Sequence, residues 1–197
     1  MELSEWMKLY QEIVKDLGFN RRADEKAAKI VYEIAKDKLL DSSVLEVLRG
    51  KDVAVVGGAY EGEKIEEDFI ISAGKAVKKL KNLPNIHVTD AEEDDELLLD
   101  LLKKGCILVI HVHGDNVERL LSLLPKLEKF VATTQSYPFD KVYNFTGFTD
   151  GDRAAIIAKR FGARKIKLYG FNFEKADGVK LKKLKWAKKI LEIEGLI

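Results

Sequence analysis

The stretch Ile107-Leu108-Val109-Ile110-His111-Val112-His113-Gly114-Asp115-Asn116 passes from an apolar run into a polar turn, and a helical stretch, Val117 to Leu127, follows it. A short continuous apolar run suits a strand covered on both faces, as strands of a parallel sheet are. The same unit recurs in both directions along the chain. Apolar runs at Val53 to Val56, Phe69 to Ile71, Ile86 to Val88, Phe130 to Ala132, Val142 to Phe145 and Ile166 to Tyr169 alternate with turns and helical stretches. Those helices are Gly74 to Leu80, Glu96 to Lys104, Gly151 to Phe161 and Leu181 to Glu194. This alternation predicts seven strands in an open, largely parallel, Rossmann-like α/β sheet with helices on both faces.

Upstream, Leu3, Trp6, Met7, Tyr10, Ile13, Val14 and Leu17 form one helical stripe, closed by Gly18. Asp24 is placed to cap a second helix with Ala27, Ile30, Val31 and Ile34 on its buried face. The chain thus divides into an N-terminal helical segment, 1–48, and an α/β catalytic domain, 49–197.

Apolar residues make up 46% and charged residues 34% of the 197 residues, which excludes a disordered or fibrous chain. No apolar run is long enough to cross a bilayer, and Met-Glu-Leu-Ser-Glu-Trp carries acid where a signal peptide is apolar. A cytoplasmic location without a membrane partner is expected. Cys106 is the single cysteine, so no internal disulfide forms, and its apolar surroundings suggest a buried, inert thiol. Charge is polarised: residues 90 to 100 hold seven acids and no base, whereas 164 to 189 hold ten bases and two acids. Solvated helix faces explain most such runs, but a metal pole and a phosphate pole of one site would produce the same separation.

Gly57-Gly58, Asp90, His113 to Asn116, Thr134-Gln135 and Thr149-Asp150 each follow a strand, so they share the carboxyl edge, where open α/β sheets bind ligands. Gly57-Gly58 fits a tight turn or a close backbone approach to phosphate. The stretch is not a P-loop, because Glu63 stands where lysine is required, and Ala59 breaks the dinucleotide pattern. Asp90 and Glu92 form an Asp-x-Glu pair that could meet one hard cation such as magnesium, while Asp94, Asp95 and Glu96 suit a helix N-terminus. Strand alternation would point His111 and His113 to one face, with Asp115 or Asn116 capping the next helix. Thr149-Asp150-Gly151-Asp152-Arg153 reads as a helix start with Thr149 as cap and Asp152 reaching back. Two aspartates there would repel phosphate unless magnesium bridged them, and Arg153 could then clamp a phosphate oxygen.

Taken together, His-x-His-Gly-Asp-Asn at 111–116, Thr-Gln at 134–135, Gly-Phe-Thr-Asp-Gly-Asp-Arg-Ala at 147–154 and Leu-Tyr-Gly-Phe-Asn-Phe at 168–173 resemble the archaeal 6-hydroxymethyl-7,8-dihydropterin pyrophosphokinase family. The likeness extends to the N-terminal helices through Trp6, Tyr10, Ile13, Asp24 and Ala27-Ala28. It implies a sheet related to the catalytic domain of thiamine pyrophosphokinases. It also implies magnesium-dependent transfer of pyrophosphate from ATP to a reduced pterin, with release of AMP, in tetrahydromethanopterin or folate synthesis.

Under this resemblance Asp90, Glu92 and Asp115 would hold magnesium, with Asp90, Asp115 and Arg153 as catalytic residues. Asp150, Gly151, Asp152, Arg153 and Thr149 would organise the phosphate end. His111, His113 and Asn116, with Gly57, Gly58, Thr134, Gln135 and Asn172, would contact ATP or pterin. A homo-oligomer is compatible with this reading. Two departures stand out. Ser72-Ala73-Gly74-Lys75 replaces the family's Ala-Asp-Gly-Ala, and Asp90-Ala91-Glu92-Glu93 replaces its Asp-x-Asp-Gly. Three alternatives remain open: another acceptor such as thiamine, a non-catalytic nucleotide-binding protein, and nucleic-acid binding through the basic C-terminal helix. The last ranks lowest, because Leu181, Leu184, Ala187 and Leu191 form an ordinary buried stripe.

Overall fold

A computed structural model describes residues Met1–Ile197. Seven strands form one parallel sheet: β1 (Asp52–Val56), β2 (Phe69–Ala73), β3 (Ile86–Thr89), β4 (Ile107–His111), β5 (Val131–Thr133), β6 (Val142–Tyr143) and β7 (Lys165–Tyr169). Their spatial order is β6-β5-β4-β3-β2-β1-β7. The chain steps outward from β1 to β6 and then returns to place β7 on the free side of β1, with Val53 opposite Ile166.

Six α-helices accompany the sheet: α1 (Leu3–Leu17), α2 (Arg21–Ala35), α3 (Asp95–Lys103), α4 (Val117–Leu123), α5 (Asp150–Arg160) and α6 (Gly178–Ile193). Both faces of the sheet are covered, which is why the strands read as unbroken apolar runs. On one face Leu108, Ile110 and Ala132 pack with residues of α2, α3 and α4. On the other, Val53, Val55, Ile71, Val88 and Val109 meet Ala154, Ala155, Ile157 and Ala158 of α5. Helix α1 lies outside α5 and α6, burying Trp6, Tyr10 and Ile13 against Phe148, Ile156 and Ile190.

Several boundaries differ from the sequence expectation. The helix expected over 74–80 is a 3-10 segment, Gly74–Lys79, whose first residue has φ +51 and so cannot begin an α-helix. The helix expected through Leu127 ends at Leu123, because Pro125 lacks an amide proton and opens a 3-10 turn instead. Strand β6 stops at Tyr143, since the chain turns through Thr146 and Gly147, both at positive φ. Asn20, not Asp24, caps α2, its side chain accepting from the amides of Arg22 and Ala23. The buried face of α2 is Ala27, Ala28, Val31 and Ala35, and Ile34 is half exposed. Cys106 is buried, and burial pushes its thiol up to about 12. No helix is long and apolar enough to cross a membrane.

Candidate active site

A cleft of about 850 Å³ opens along the carboxyl edge of the sheet. Its floor is set by the ends of β1 to β4 and the start of α5, which bring Gly57, Asp90, His113, Asp115, Asp150 and Arg153 to one place. The expected convergence of strand-end residues is therefore observed.

Asp90 follows β3 and faces His113, with Oδ2 3.9 Å from the ring Nε2. Burial opposes its charge, but the neighbouring His113 ring, the Glu92 amide and Arg153 outweigh it, and its carboxyl is held below the usual value. Asp150, the first residue of α5, goes the other way. Burial, then the negative Asp90 and Glu93, hold its carboxyl well above the usual value, with Arg153 opposing them. Two acids in one cleft are thus driven apart, one ionised and the other prone to keep its proton.

Arg153 is 2% exposed. Its Nη2 donates to the carbonyls of Gly147 and Phe148, both at 3.2 Å, and Nη1 lies 3.4 Å from Asp150 Oδ1. Gly147 has φ +89, and a Cβ there would stand 2.7 Å from Arg153 Cα, so this turn requires glycine. Asp152 does not reach the phosphate end that the sequence assigned to it. Its carboxylate accepts from the amides of Phe148 and Thr149, each at 2.7 Å, and from the Thr149 hydroxyl, closing the capping box of α5.

The histidines meet as alternation expects, with Val112 between them buried in the core on the opposite side. His111 ends β4, and His113 just beyond it accepts from the Asp115 amide at 3.2 Å while Asn116 Oδ1 accepts from the His113 amide, so the ring and the Asn116 side chain cap the turn together. The two rings are 5.7 Å apart. His111 is buried beside Thr133 Oγ1 at 3.2 Å, its Nε2 has no partner, and burial, Arg153 and His113 hold its pKa well below 6.5. Asn116 lies behind the cleft: it accepts from the His113 amide and donates to the carbonyls of Asp90, at 2.9 Å, and His111, at 2.8 Å. Thr134 is also outside, accepting from the Ser136 amide. Gln135, Thr149, Gly151, Gly58 and Asn172 line the cleft, and Asn172 Oδ1 is engaged by the amides of Glu174 and Lys175.

The expected magnesium set is not gathered. Glu92 pairs with Lys75 at 2.9 Å, Asp115 is exposed on its turn, and no three acidic, histidine or cysteine side chains stand close enough to enclose a metal.

Sequence reasoning missed three contributors. Asp24 accepts from Tyr10 Oη, from Gln135 Nε2 at 2.9 Å and from the Gly114 amide at 2.8 Å, so the N-terminal helices form one wall. Phe171 packs where Cβ atoms at Gly57 and Gly151 would stand 3.0 and 3.1 Å from its ring, which accounts for both glycines. Glu93 is buried to 1% at the cleft. No local signal separated Glu93 from its acidic neighbours, whereas the spacing from Tyr10 to Asp24 spans two helices and leaves no periodic mark. Lys175, Lys180 and Lys183 line the same cleft as Asp90 and Glu93, so residues from both charge runs of the sequence border one cavity.

Comparison with known proteins finds one family. The family described as "MptE-like: 6-hydroxymethylpterin diphosphokinase MptE-like" matches residues 61–178. A Pyrococcus furiosus protein named 6-hydroxymethyl-7,8-dihydropterin pyrophosphokinase is 33% identical, over 98% of this chain and 94% of its own. Proteins of the same name from Methanothermobacter thermautotrophicus and Methanocaldococcus jannaschii are 32% and 30% identical, over 98% and 97% of this chain and 94% and 95% of theirs. With 30–33% identity to three proteins of that name over nearly the full chain, and the family's region running from β2 to β7, the chain belongs to the 6-hydroxymethylpterin diphosphokinase MptE-like family.

Proposed function

We propose that this chain transfers a diphosphoryl group from ATP to the hydroxymethyl oxygen of 6-hydroxymethyl-7,8-dihydropterin, with magnesium, in tetrahydromethanopterin or folate synthesis. The observation that carries the reading is one cleft of about 850 Å³ lined both by the acids Asp90 and Asp150 and by lysines 175, 180 and 183. A volume of that order accommodates both a nucleotide and a bicyclic ring.

In the reaction the hydroxymethyl oxygen bonds to the β-phosphorus. The bond from that phosphorus to the α,β-bridging oxygen breaks, AMP leaves with the bridging oxygen, and the hydroxyl proton leaves to the water of the open cleft. Such transfers depend mainly on placement and charge neutralisation. Arg153, permanently charged, fixes Asp150 and adds positive potential at the phosphate end. Phe148, Phe171 and Phe173 supply apolar walls for a flat ring. His111, kept neutral, offers a hydrogen-bonding nitrogen without adding charge.

The residues suit a hard cation. Asp90 and Asp150 present carboxylate oxygens, and burial beside the negative Asp90 and Glu93 favours a proton on Asp150, a balance that a divalent ion would shift toward the carboxylate. Magnesium is commonly held by one or two carboxylates together with waters and substrate phosphates, so an enclosed three-residue cage is not required. When bound, it would screen the triphosphate and polarise its oxygens.

Incubation with ATP, magnesium and 6-hydroxymethyl-7,8-dihydropterin tests the proposal. AMP is the expected nucleotide product. ADP would overturn it, and tight ATP binding without AMP release would replace it with a non-catalytic nucleotide-binding role.

A further inference from the structure

Among the acids that follow β3, Glu93 alone is fully buried, with a side chain of 0% exposure. Its Oε2 accepts from Thr89 Oγ1 at 2.5 Å and faces His87 Nε2 at 3.7 Å. Its Oε1 is buried and has no hydrogen-bond partner. That oxygen is 4.0 Å from the point where a Cβ on Gly74 would stand, and Asp150 Oδ2 approaches the same point to 3.1 Å. Both acids border the cleft.

The loop carrying Glu93 is rigidly tied. Arg119 donates to the carbonyls of Ala91 and Glu93 at 2.9 and 2.8 Å, and the Ala91 amide donates to Thr89 Oγ1 at 2.8 Å. Ala91 itself is held at φ +65, a conformation that costs an L-residue roughly 1–3 kcal/mol and persists only where the surroundings dictate it. Behind the carboxylate, Ser72 Oγ lies 2.8 Å from His87 Nδ1. A purely structural role for Glu93 would engage both oxygens, because an unpaired buried polar atom costs about 1–3 kcal/mol and more when charged. One oxygen is instead secured by Thr89, and the other is left without a partner near Gly74, which Asp150 also borders.

We infer that Glu93 is a cation-facing carboxylate of this cleft, with Thr89 holding Oε2 so that Oε1 is left beside Gly74, near Asp150. Within the proposed transfer the cation is the magnesium that accompanies ATP, and to that extent the inference rests on that reading. It also joins the two departures in the sequence: Ala73, just before Gly74, brings no acid to the cleft, and Glu93 delivers one there from the neighbouring strand's loop. Because no three such groups enclose a point, the ion would complete its shell with water and phosphate oxygens.

Manganese serves as the probe, its free concentration read by electron paramagnetic resonance with and without a non-hydrolysable ATP analogue. Glu93→Gln keeps the shape and the Thr89 contact while removing the charge. It should melt within a few degrees of wild type and bind manganese about tenfold more weakly or worse. Adding Ala73→Asp to Glu93→Gln should recover part of the affinity, since the new carboxylate enters the same cleft. Unchanged manganese affinity in Glu93→Gln, whether or not the variant melts early, overturns the inference. AMP release is measured separately: a wild type that forms no AMP yet binds manganese more tightly than Glu93→Gln would refute the reaction and leave the assignment of Glu93 standing.

Discussion

Arg153 Nη1 lies 3.4 Å from Asp150 Oδ1, one turn earlier on α5, and the same guanidinium reaches back to the carbonyls of Gly147 and Phe148. One buried cation therefore ties the loop before α5 to the acid that opens it. Arg153→Met would leave the carbonyls of Gly147 and Phe148 buried without their donor, and an unpaired buried polar group costs about 1–3 kcal/mol. Urea denaturation should show a loss of that order. Arg153→Lys should restore little of it, since an ammonium cannot reproduce the planar fork that serves three acceptors.

Asp90→Asn should separate activity from stability. Asp90 is only partly buried, and its clearest fold-holding contact runs through its backbone carbonyl to Asn116, which the substitution keeps. Turnover should fall by about a hundredfold or more, equivalent to roughly 3 kcal/mol of transition-state stabilisation, while the melting temperature moves by only a few degrees. Equal loss of both would return Asp90 to a packing role.

His111 predicts an acid-side weakening of the fold. Its pKa in the folded chain is held well below 6.5, so the unfolded chain binds the extra proton as pH falls through about 6.5. The stability that depends on a neutral His111 is present above that pH and is lost below it. Chemical denaturation at about pH 7 and about pH 5 should show a smaller drop for His111→Gln than for wild type. Identical drops would mean that His111 is not the group responsible.

Tyr10→Phe tests whether α1 helps to build the wall of the cleft. Asp24 would lose the Tyr10 hydroxyl but keep Gln135 and the Gly114 amide. Losing one partner of a buried carboxylate should cost about 1–3 kcal/mol. The turn that carries His113 should also loosen, raising KM for the acceptor more than it lowers kcat. An unchanged KM would confine Tyr10 to packing.

The sheet, its parallel sense and the edge that carries the polar groups were legible in the residues. Strands covered on both faces must be apolar throughout, and a turn must interrupt each before its helix. The Thr149–Asp152 capping box was legible for the same reason, because its partners lie three residues apart. Local spacing could not show that β7 returns beside β1, or that Asp24 serves Gly114 ninety residues away instead of its own helix. Nor could it show that Glu93 turns inward while Glu92 turns out to Lys75. Chemically similar acids in one run differ only in which neighbours the folded chain brings to them. Those neighbours come from strands and helices distant in sequence, so the choice between a solvated acid, a cap and a member of the site belongs to the tertiary structure.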